Sequence, residues 1–524
     1  MKVLERAARK VASEFGALHP FQEELISAAR DPEVGLVRVE APVGAGKTTA
    51  IRRILEYCDA PLIATFPTTI LVNTQSQNIS LGADVYHWPR ENKPINRPYD
   101  LFVTEYTSQS LLHLAMKNRG DIEGVARGEM LSRLFGLAPF IGKKSVILTT
   151  PDVLWLIYSG RYKGSRRLQE KLSGSIVIFD EFHCYADLAN FYSLLNRLAE
   201  GRVSKVVLMS ATPFMREDIV VDFPGDSVDI SFREEDTLEG DTRVFNHALD
   251  LEVVETRYHD SYKLMDELRK SLGGLPRPTA VIFDSIFRLM QIEPLLRREF
   301  PNLRFHRYDG MVKDAINLGE DSVLLGTSSV EVGVSMDFAS LIFEGSSWTS
   351  AIQRLGRVGR MREGQALLVS DRSFQPFRPP GDSIARGDFE GILRDYLPDP
   401  RQDWTSGELF RGDAPNFLMV NMRGDWFVYG PAIFSMFKVI EYEKRMPQDA
   451  SSLEKMLHEF GVRDSDIPEA KMRISLFPVA GLLKVGGFRD RYDTVVSVEK
   501  GDREWVIKLA SGEWFYFERE ENDD

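Results

Sequence analysis

The chain has little cysteine and no long apolar run. Its 524 residues include two cysteines, Cys58 and Cys184, too few for a disulfide framework, and they form no CxxC pair typical of a zinc site. No stretch reaches the roughly 18 consecutive apolar residues of a membrane-spanning helix. Residues 1–10 are charged and lack the apolar core of a signal peptide. We therefore expect a cytoplasmic location.

Positive charge is also in short supply. Lysine and arginine number 65 against 78 aspartates and glutamates, which gives a net charge of −13. This balance argues against a wholly basic surface, but a basic channel in an acidic protein remains compatible with it. One local basic cluster either contacts a phosphate backbone or forms a solvated helix face, and it comprises Arg161, Lys163, Arg166, Arg167 and Lys171.

Short apolar runs alternate with helical patterns along the first two thirds of the chain. Runs that end at a turn or a polar motif are typical of buried parallel strands joined by helices. They form two sets, at residues 36–39, 62–66, 146–149, 176–179 and 206–209, and at residues 280–283, 323–326, 341–343 and 366–369. The pattern predicts an α/β fold with two tandem parallel-sheet lobes, over residues 1–225 and 226–372.

The pattern changes after residue 373, where prolines interrupt the alternation. A helical pattern at residues 451–460 precedes short strand patterns at 475–483, 494–498, 505–509 and 514–517. These features predict a C-terminal accessory domain over residues 373–524, helical and then β-rich.

The first lobe carries a phosphate-binding loop. Residues 41–48 read APVGAGKT and follow the strand at 36–39. Glycines free the backbone to wrap phosphates, the lysine reaches the outer phosphates, and the helix that follows directs its positive end at the anion. The motif predicts an ATP site formed by Gly44, Ala45, Gly46, Lys47, Thr48 and Thr49. Upstream, Gln22 is a candidate reader of the adenine edge through its amide.

Two adjacent carboxylates follow the strand at 176–179, where open parallel sheets expose their ligands. Asp180 is predicted to hold Mg²⁺ together with the Thr48 hydroxyl, and Glu181 to orient and deprotonate the attacking water. His183 is expected to couple this cleft to the strand-binding face. The segment SAT at residues 210–212 would hydrogen-bond to the same network.

The second lobe supplies the opposite wall of the cleft. Residues 326–337, GTSSVEVGVSMD, place Gly333 and Asp337 where they suit phosphate and ribose contacts. Residues 353–360, QRLGRVGR, contain Gln353 and two arginines three positions apart on one helix face, Arg357 and Arg360. Such arginines can cross a cleft and stabilise the charge of phosphoryl transfer.

Nucleic-acid contacts are predicted at strand ends, where hydroxyls and amides can hold a sugar-phosphate chain. The candidates are Pro67, Thr68, Thr69, Thr149, Thr150 and Thr327. Contacts of this kind carry little base information, so binding is expected to be independent of sequence.

Taken in order, these motifs over residues 19–370 resemble a superfamily 2 helicase of the DExH type, with DEFH at 180–183 as the second motif and 353–360 as the sixth. Residues 63–69, residues 148–152 and the compact tail make the chain similar to the helicase half of the type I CRISPR interference helicase–nuclease. The resemblance implies two RecA-like lobes, ATP and Mg²⁺, single-stranded DNA as track, 3′ to 5′ movement, and recruitment by an RNA-guided surveillance complex.

Three features depart from that family. Ser335 stands where an aspartate is frequent, and Gln75 lies one place late in its motif. The single HD pair, His259-Asp260, lacks the further ligands of a two-metal nuclease and is interpreted as chance. The resemblance therefore implies that a separate HD nuclease subunit cleaves the DNA.

Two other functions remain open from the sequence. A superfamily 2 helicase of DNA repair or RNA remodelling would carry the same motifs in both lobes. A nucleotide-dependent clamp that binds without turnover is disfavoured, because Lys47, Glu181 and Arg357 form a complete hydrolytic set.

Overall fold

The structure is a computed structural model. It describes residues 1–13, 15–79, 84–88, 99–107, 142–158, 165–186, 189–215, 221, 223–232, 242–255, 261–309, 318–319, 321–331, 336–345, 347–370, 382–397, 416–422, 425–432, 443–445, 481–485, 491–500, 504–509 and 514–518. The chain forms two compact units, Met1–Asp187 with Phe191–Trp404, and Leu188–Asn190 with Thr405–Asp524.

The first lobe is built on an eight-stranded sheet in which all neighbours are parallel. Its strands, in order across the sheet, are Asp226–Ser231, Val34–Glu40, Lys205–Ser210, Ile176–Asp180, Leu62–Thr65, Gly142–Thr149, Tyr99–Tyr106 and Val85–Trp88. The central strands are buried along their whole length, which explains their continuous apolar runs. All five strands predicted for this lobe are present.

Helices of the first lobe connect these strands. They are Pro20–Arg30, Lys47–Tyr57, Thr69–Asn78, Pro151–Tyr158, Ser165–Leu172 and Ala189–Glu200, with a short 3₁₀ turn at Phe182–Cys184. In Lys47–Tyr57 the buried residues Ala50, Ile51, Ile54 and Leu55 recur at helical spacing and pack into the core of the lobe. This packing fixes the helix, and with it the end of the phosphate loop.

The second lobe repeats the plan. The sheet order is Arg304–Tyr308, Ser322–Gly326, Thr279–Ile282, Ser340–Glu344, Gly364–Ser370, Leu249–Glu255, Lys2–Val3 and Ser383–Ile384. Only the pairing of Lys2–Val3 with Leu249–Glu255 is antiparallel. Its helices are Ser261–Leu272, Ile286–Glu299, Ser328–Glu331, Trp348–Leu355 and Arg386–Tyr396. Two parallel sheets in tandem confirm the predicted α/β class and RecA-like lobes.

The strand pairings differ from the predicted lobe boundaries at three places. Lys2–Val3 lies in the second sheet, and Asp226–Ser231 still belongs to the first. Arg386–Tyr396 packs on the second lobe, beyond the predicted end at 372. Asp226–Ser231 is an edge strand with only Ile230 buried, and its polar pattern looks like an exit from the lobe. Short strands Arg6–Arg9 and Thr242–Asn246 pair antiparallel, as do Val11–Ser13 and Gly16–Leu18.

The second unit contains one antiparallel seven-stranded sheet. Its order is Glu443–Arg445, Asp425–Ala432, Asn416–Met422, Gly481–Val485, Arg491–Lys500, Glu504–Leu509 and Trp514–Glu518. The β-rich part of the predicted accessory domain is thus present, including the strands at 494–498, 505–509 and 514–517. The helix predicted at 451–460 lies outside the described residues.

None of the helices in the described ranges has the length and apolar character needed to cross a membrane.

We expect Lys144 to hold the carboxyl end of the helix that follows the phosphate loop. Its ammonium donates to the carbonyl oxygens of Leu55 (3.0 Å), Cys58 (3.3 Å) and Glu56, which have no partner within the helix. Lys144→Met should destabilise the first unfolding transition by about 1–3 kcal/mol, the usual contribution of a charged hydrogen-bonding group. Thermal melting checks this, with Arg52→Met on the exposed face of the same helix as control. An unchanged melting midpoint in Lys144→Met would contradict the capping role.

Candidate nucleotide-binding and catalytic site

The phosphate loop leaves Val34–Glu40 and ends where Lys47–Tyr57 begins. Gly44 and Gly46 have φ of 89° and 95°, in the left-handed region that side chains rarely adopt. A Cβ on Gly46 would also lie 2.8 Å from Nε2 of Gln22. The loop therefore requires glycine at these positions, and its backbone forms an anion cradle at the amino end of a helix.

Lys47 lies at the centre of the site. Its ammonium is 2.9 Å from the carbonyl oxygen of Ala41 and 3.5 Å from a carboxylate oxygen of Glu181. Only 6% of the Lys47 side chain is exposed. One buried ammonium thus links the phosphate loop to the acidic strand end.

Gln22 has a structural role that the sequence did not suggest. Its amide nitrogen donates to the carbonyl oxygen of Gly46 at 3.0 Å, and its amide oxygen accepts from the backbone N–H of His19 at 3.1 Å. The side chain is buried, so Gln22 holds the phosphate loop in place. Its predicted contact with adenine stays a prediction.

Asp180 and Glu181 lie at the carboxyl end of Ile176–Asp180, as predicted. Glu181 has φ of 51°, and its backbone N–H donates to Asp180 Oδ1 at 3.1 Å. Burial and the charge of Glu181 raise the pKa of Asp180 to about 7, although Lys47 lowers it. Burial raises the pKa of Glu181, but Lys47, His183 and Arg357 outweigh burial and hold it below the ordinary value. Glu181 is therefore ionised and can act as a base.

The site fits a magnesium ion and a triphosphate. Glu181 Oε2 is buried without a hydrogen-bond partner in the described part of the chain, and the raised pKa of Asp180 marks a carboxyl group that gains from a nearby cation. The described residues contain no cluster of three or more His, Cys, Asp or Glu side chains suited to a metal. Mg²⁺ commonly takes one or two protein oxygens plus phosphate and water. Thr48 and Asp180 would hold it, and it would neutralise phosphate charge when bound.

A polar chain runs from the acidic pair into the second lobe. His183 Nδ1 lies 2.8 Å from Ser210 Oγ and 3.5 Å from Glu181 Oε2. Ser210 Oγ accepts from the N–H of Thr212 at 2.9 Å, and Gln353 Nε2 donates to Thr212 Oγ1 at 3.3 Å. Burial lowers the pKa of His183 to about 4, although Glu181 raises it, so the ring is neutral at neutral pH. This series of hydrogen bonds connects Glu181 to Gln353 in the second lobe through uncharged groups.

Arg357 and Arg360 do not lie on one helix face as predicted, because the helix ends at Leu355 and both arginines follow it in a turn and a bend. Both nevertheless lie within electrostatic reach of Glu181. Arg357 is buried and lowers the pKa of Glu181. Burial lowers the pKa of Arg360, whereas Asp337 and Glu181 raise it. Asp337 accepts from the backbone N–H of Arg360 at 3.2 Å and lies 3.6 Å from Arg362. Asp337 thus positions the arginine loop, and its predicted ribose contact stays a prediction.

The two lobes lie close together at Gly356. A Cβ built on Gly356 would lie 2.8–3.1 Å from all three side-chain carbons of Val43 in the phosphate loop. Because φ of Gly356 is −67°, the backbone itself would accept any residue. The contact with Val43, and not backbone conformation, is what requires glycine here.

Arg354 is a functional-motif residue whose role the sequence did not predict. Its guanidinium lies 2.7 Å from Asp284 and donates to the carbonyl oxygen of Glu344, with 2% of the side chain exposed. Glu344 pairs with Arg288, and its pKa is raised to about 7 by burial and by Asp284. This buried network anchors the helix Trp348–Leu355 to the sheet of the second lobe. Glu344 ends the strand Ser340–Glu344, whereas Asp284 and Arg288 lie in the loop and helix that follow Thr279–Ile282, so no local pattern reveals this network.

The predicted nucleic-acid contacts lie at neighbouring strand ends. Thr65 pairs with Thr149, which brings residues 67–69 beside residues 149–150. Thr68 caps the helix Thr69–Asn78 by accepting from Leu71 N–H, and Thr149 donates its buried hydroxyl to Tyr106 O at 2.7 Å. Thr150 and Thr327 are also buried. Their nucleic-acid contacts stay predictions.

Some predicted residues fall outside the described ranges. They are Gly333, Ser335, the His259-Asp260 pair, and the basic residues Arg161 and Lys163. The helix Ser165–Leu172 is described and keeps Arg166 and Arg167 exposed on its surface.

Residues 265–363, which include both second-lobe motifs, match the family model described as CRISPR-associated nuclease/helicase Cas3, C-terminal. The chain resembles a superfamily 2 helicase of the Cas3 type. No curated protein is detectably similar to the whole sequence.

Several solved helicase structures are similar in fold. Cas3 of T. fusca with AMPPNP has a TM-score of 0.46 and 16% identity, over 71% of this chain and 49% of that chain. The DUF1998 helicase MrfA bound to DNA and AMPPNP has a TM-score of 0.46 and 12% identity, over 100% and 82%. Lhr of Mycobacterium smegmatis bound to ssDNA and AMP-PNP has a TM-score of 0.41 and 18% identity, over 68% and 46%. The chain thus spans about half the length of the Cas3 and Lhr chains.

We expect Glu181→Gln to retain ATP but lose turnover. The amide keeps the shape of the carboxylate but cannot accept a proton from water, and loss of a general base typically costs about 10²–10⁴-fold in rate. Nucleotide retention and steady-state hydrolysis measure the two effects, with Glu200→Gln on an exposed helix end as control. Turnover within tenfold of the unaltered chain would show that another group is the base.

We expect Gly356→Ala to slow turnover by about tenfold or more while ATP affinity stays within a few-fold, because overpacking at this contact keeps the cleft from closing. Gly391→Ala is the matched control, since nothing lies within 4 Å of a Cβ at that exposed helical position. Stopped-flow hydrolysis and fluorescent-nucleotide binding separate the two parameters. Equal rates for the two variants would contradict the close approach.

Proposed function

We propose that the chain is an ATP-driven DNA helicase or translocase that moves along a single strand. The observation that carries this proposal is the cross-lobe hydrogen bond from Gln353 to Thr212, with Arg357 and Arg360 in electrostatic reach of Glu181. A site shared by two lobes couples the state of the nucleotide to lobe closure. A nucleotide-binding protein without mechanical work has no need for this arrangement.

Hydrolysis follows from the chain's own groups. The phosphate loop and Lys47 hold the triphosphate, and Glu181 orients water and accepts its proton. Arg357 and Arg360 stabilise charge on the transferred phosphoryl group, an effect of roughly 10³–10⁵ in rate for arginines of this kind. Hydrolysis removes the group that these arginines bind, which lets the lobes separate.

The strand ends of both sheets are the proposed nucleic-acid track. Residues 67–69 and 149–150 of the first lobe and Thr327 of the second would contact the sugar-phosphate backbone through hydroxyl and amide groups. Lobe opening and closing would then shift one set of contacts relative to the other. Since such contacts do not read bases, movement would be independent of sequence.

The CRISPR role is the finer part of the proposal. The family match over residues 265–363 supports it. In this role the motor acts in the cytoplasm on the strand displaced by an RNA-guided surveillance complex, moves 3′ to 5′, and works with a separate HD nuclease subunit. A DNA-repair or RNA-remodelling helicase is the alternative.

The test is steady-state ATP hydrolysis by the full chain with Mg²⁺, alone and with single-stranded DNA, duplex DNA or single-stranded RNA. We expect stimulation by single-stranded DNA above the other polymers, and unwinding of a 3′-tailed duplex in the presence of a type I surveillance complex. The Glu181→Gln variant controls for contaminating ATPases. Stimulation by RNA instead would favour RNA remodelling, and hydrolysis without polymer dependence would contradict a motor.

A further inference from the structure

A helix beyond the motifs lies against the helix Trp348–Leu355. We call the latter the arginine-bearing helix because it contains Arg354 and directly precedes the segment with Arg357 and Arg360. The other helix, Arg386–Tyr396, which we call the bracing helix, buries Phe389 and Leu393. Its Arg386 donates to the carbonyl oxygen of Leu355 at 2.8 Å. That carbonyl belongs to the last turn of the arginine-bearing helix, where carbonyls have no partner within the helix. The bracing helix therefore fixes one end of the segment that carries Gln353.

Arg394, at the other end of the bracing helix, contacts both lobes. Its guanidinium lies 5.1 Å from the ring centroid of Trp348, the first residue of the arginine-bearing helix. Its Nη2 donates to Glu40 Oε1 at 2.7 Å. Glu40 ends the strand that enters the phosphate loop. One side chain thus joins the beginnings of both catalytic segments.

The spacing of Arg386 and Arg394 matches the length of the arginine-bearing helix. Arg386 and Arg394 are eight residues apart, about 12 Å along a helix, which is close to the length of the eight-residue helix they hold. Between them Glu390 forms a bidentate pair with Arg6 at 2.9 and 3.2 Å. Arg6 is 5% exposed, so this buried pair fixes the bracing helix to the strand Arg6–Arg9, which pairs with Thr242–Asn246. The Arg394 contact with Glu40 is then the part that crosses to the first lobe.

We propose that Arg394 is a positioning residue that sets the register between the phosphate loop and the arginine-bearing helix. The contact between Val43 and Gly356 leaves no slack in the cleft. A small shift between the lobes therefore moves Arg357 and Arg360 relative to Glu181. Arg394 touches no nucleotide-binding group itself, and it acts through Glu40 and Trp348.

The kinetic test, which rests on the proposed ATPase function, uses charge reversal. Arg394→Glu should lower kcat by about three- to tenfold, the size expected for an exposed ion pair plus a cation–π contact, with little change in ATP affinity. The double variant Glu40→Arg with Arg394→Glu should recover at least about half of the loss, because the pair is restored with reversed polarity. The kcat of Arg394→Lys should lie between those of Arg394→Glu and the unaltered chain, since lysine keeps the charge but not the planar group over Trp348.

A matched control lies on the same strand as Glu40. Arg38 pairs with Asp229 at 2.6 Å, and its side chain is 39% exposed, close to the 42% of Arg394, but both members of this pair belong to the first lobe. Arg38→Glu should leave kcat unchanged. Equal losses in Arg38→Glu and Arg394→Glu, or no recovery in the double variant, would overturn the proposal, because a general charge effect would then explain the result.

A second measurement does not depend on hydrolysis. Spin labels on the exposed positions Arg52 and Arg298, one in each lobe, with Cys58 and Cys184 replaced by alanine, report the distance between the lobes. With AMP-PNP and Mg²⁺ we expect one narrow population with Arg394 present and a broader or longer one in Arg394→Glu, reversed in the double variant. Identical distributions would overturn the positioning role even if the chain hydrolyses ATP. If no variant hydrolyses ATP, the ATPase proposal fails and the distances still decide the role of Arg394.

Discussion

The structure depends on the balance of buried charge around Asp180 and Glu181. Two adjacent carboxylates removed from water are unfavourable unless cations lie beside them. Lys47 supplies one cation from the first lobe, and Arg357 supplies another from the second. The first lobe alone therefore cannot complete the site. Arg357 of the second lobe therefore stabilises the ionised Glu181 of the first.

Tight packing between Val43 and Gly356 adds a steric constraint to this electrostatic one. Val43 lies so close to Gly356 that a methyl group at position 356 would not fit, so this contact limits how the two lobes can pack. The hydrogen bonds from His183 to Gln353 also restrict the distance and orientation between the two lobes, because hydrogen bonds weaken when their geometry changes. Arg386 and Arg394 contact the two ends of the helix Trp348–Leu355, at Leu355 and Trp348. Each feature narrows the positions that Arg357 and Arg360 can take.

Several contacts in the site come from residues that no motif includes. Gln22 reaches the phosphate loop across 24 residues of sequence, and Arg394 reaches Glu40 across 354. The strand Asp226–Ser231 was not predicted as part of the first lobe, because it lies at the edge of the sheet and its pattern is mostly polar. The placement of Lys2–Val3 in the second sheet depends on pairing with strands far along the chain. Sequence periodicity contains no signal for such pairings, since it reports burial and not the identity of the neighbour.

The chemistry expected of Lys47, Asp180, Glu181 and the two arginines stays a prediction. The amino-acid sequence was enough to predict the α/β class, the two tandem lobes, five strands of the first sheet and four of the second. These features can be predicted from residues that are neighbours in the sequence, because glycine conformation, strand burial and helix ends are local properties. Three roles emerged from the structure alone: Gln22 holds the phosphate loop, Val43 requires glycine at position 356, and Arg354 and Arg394 position the helix Trp348–Leu355. These roles depend on which distant side chain lies opposite, and packing of whole elements decides that.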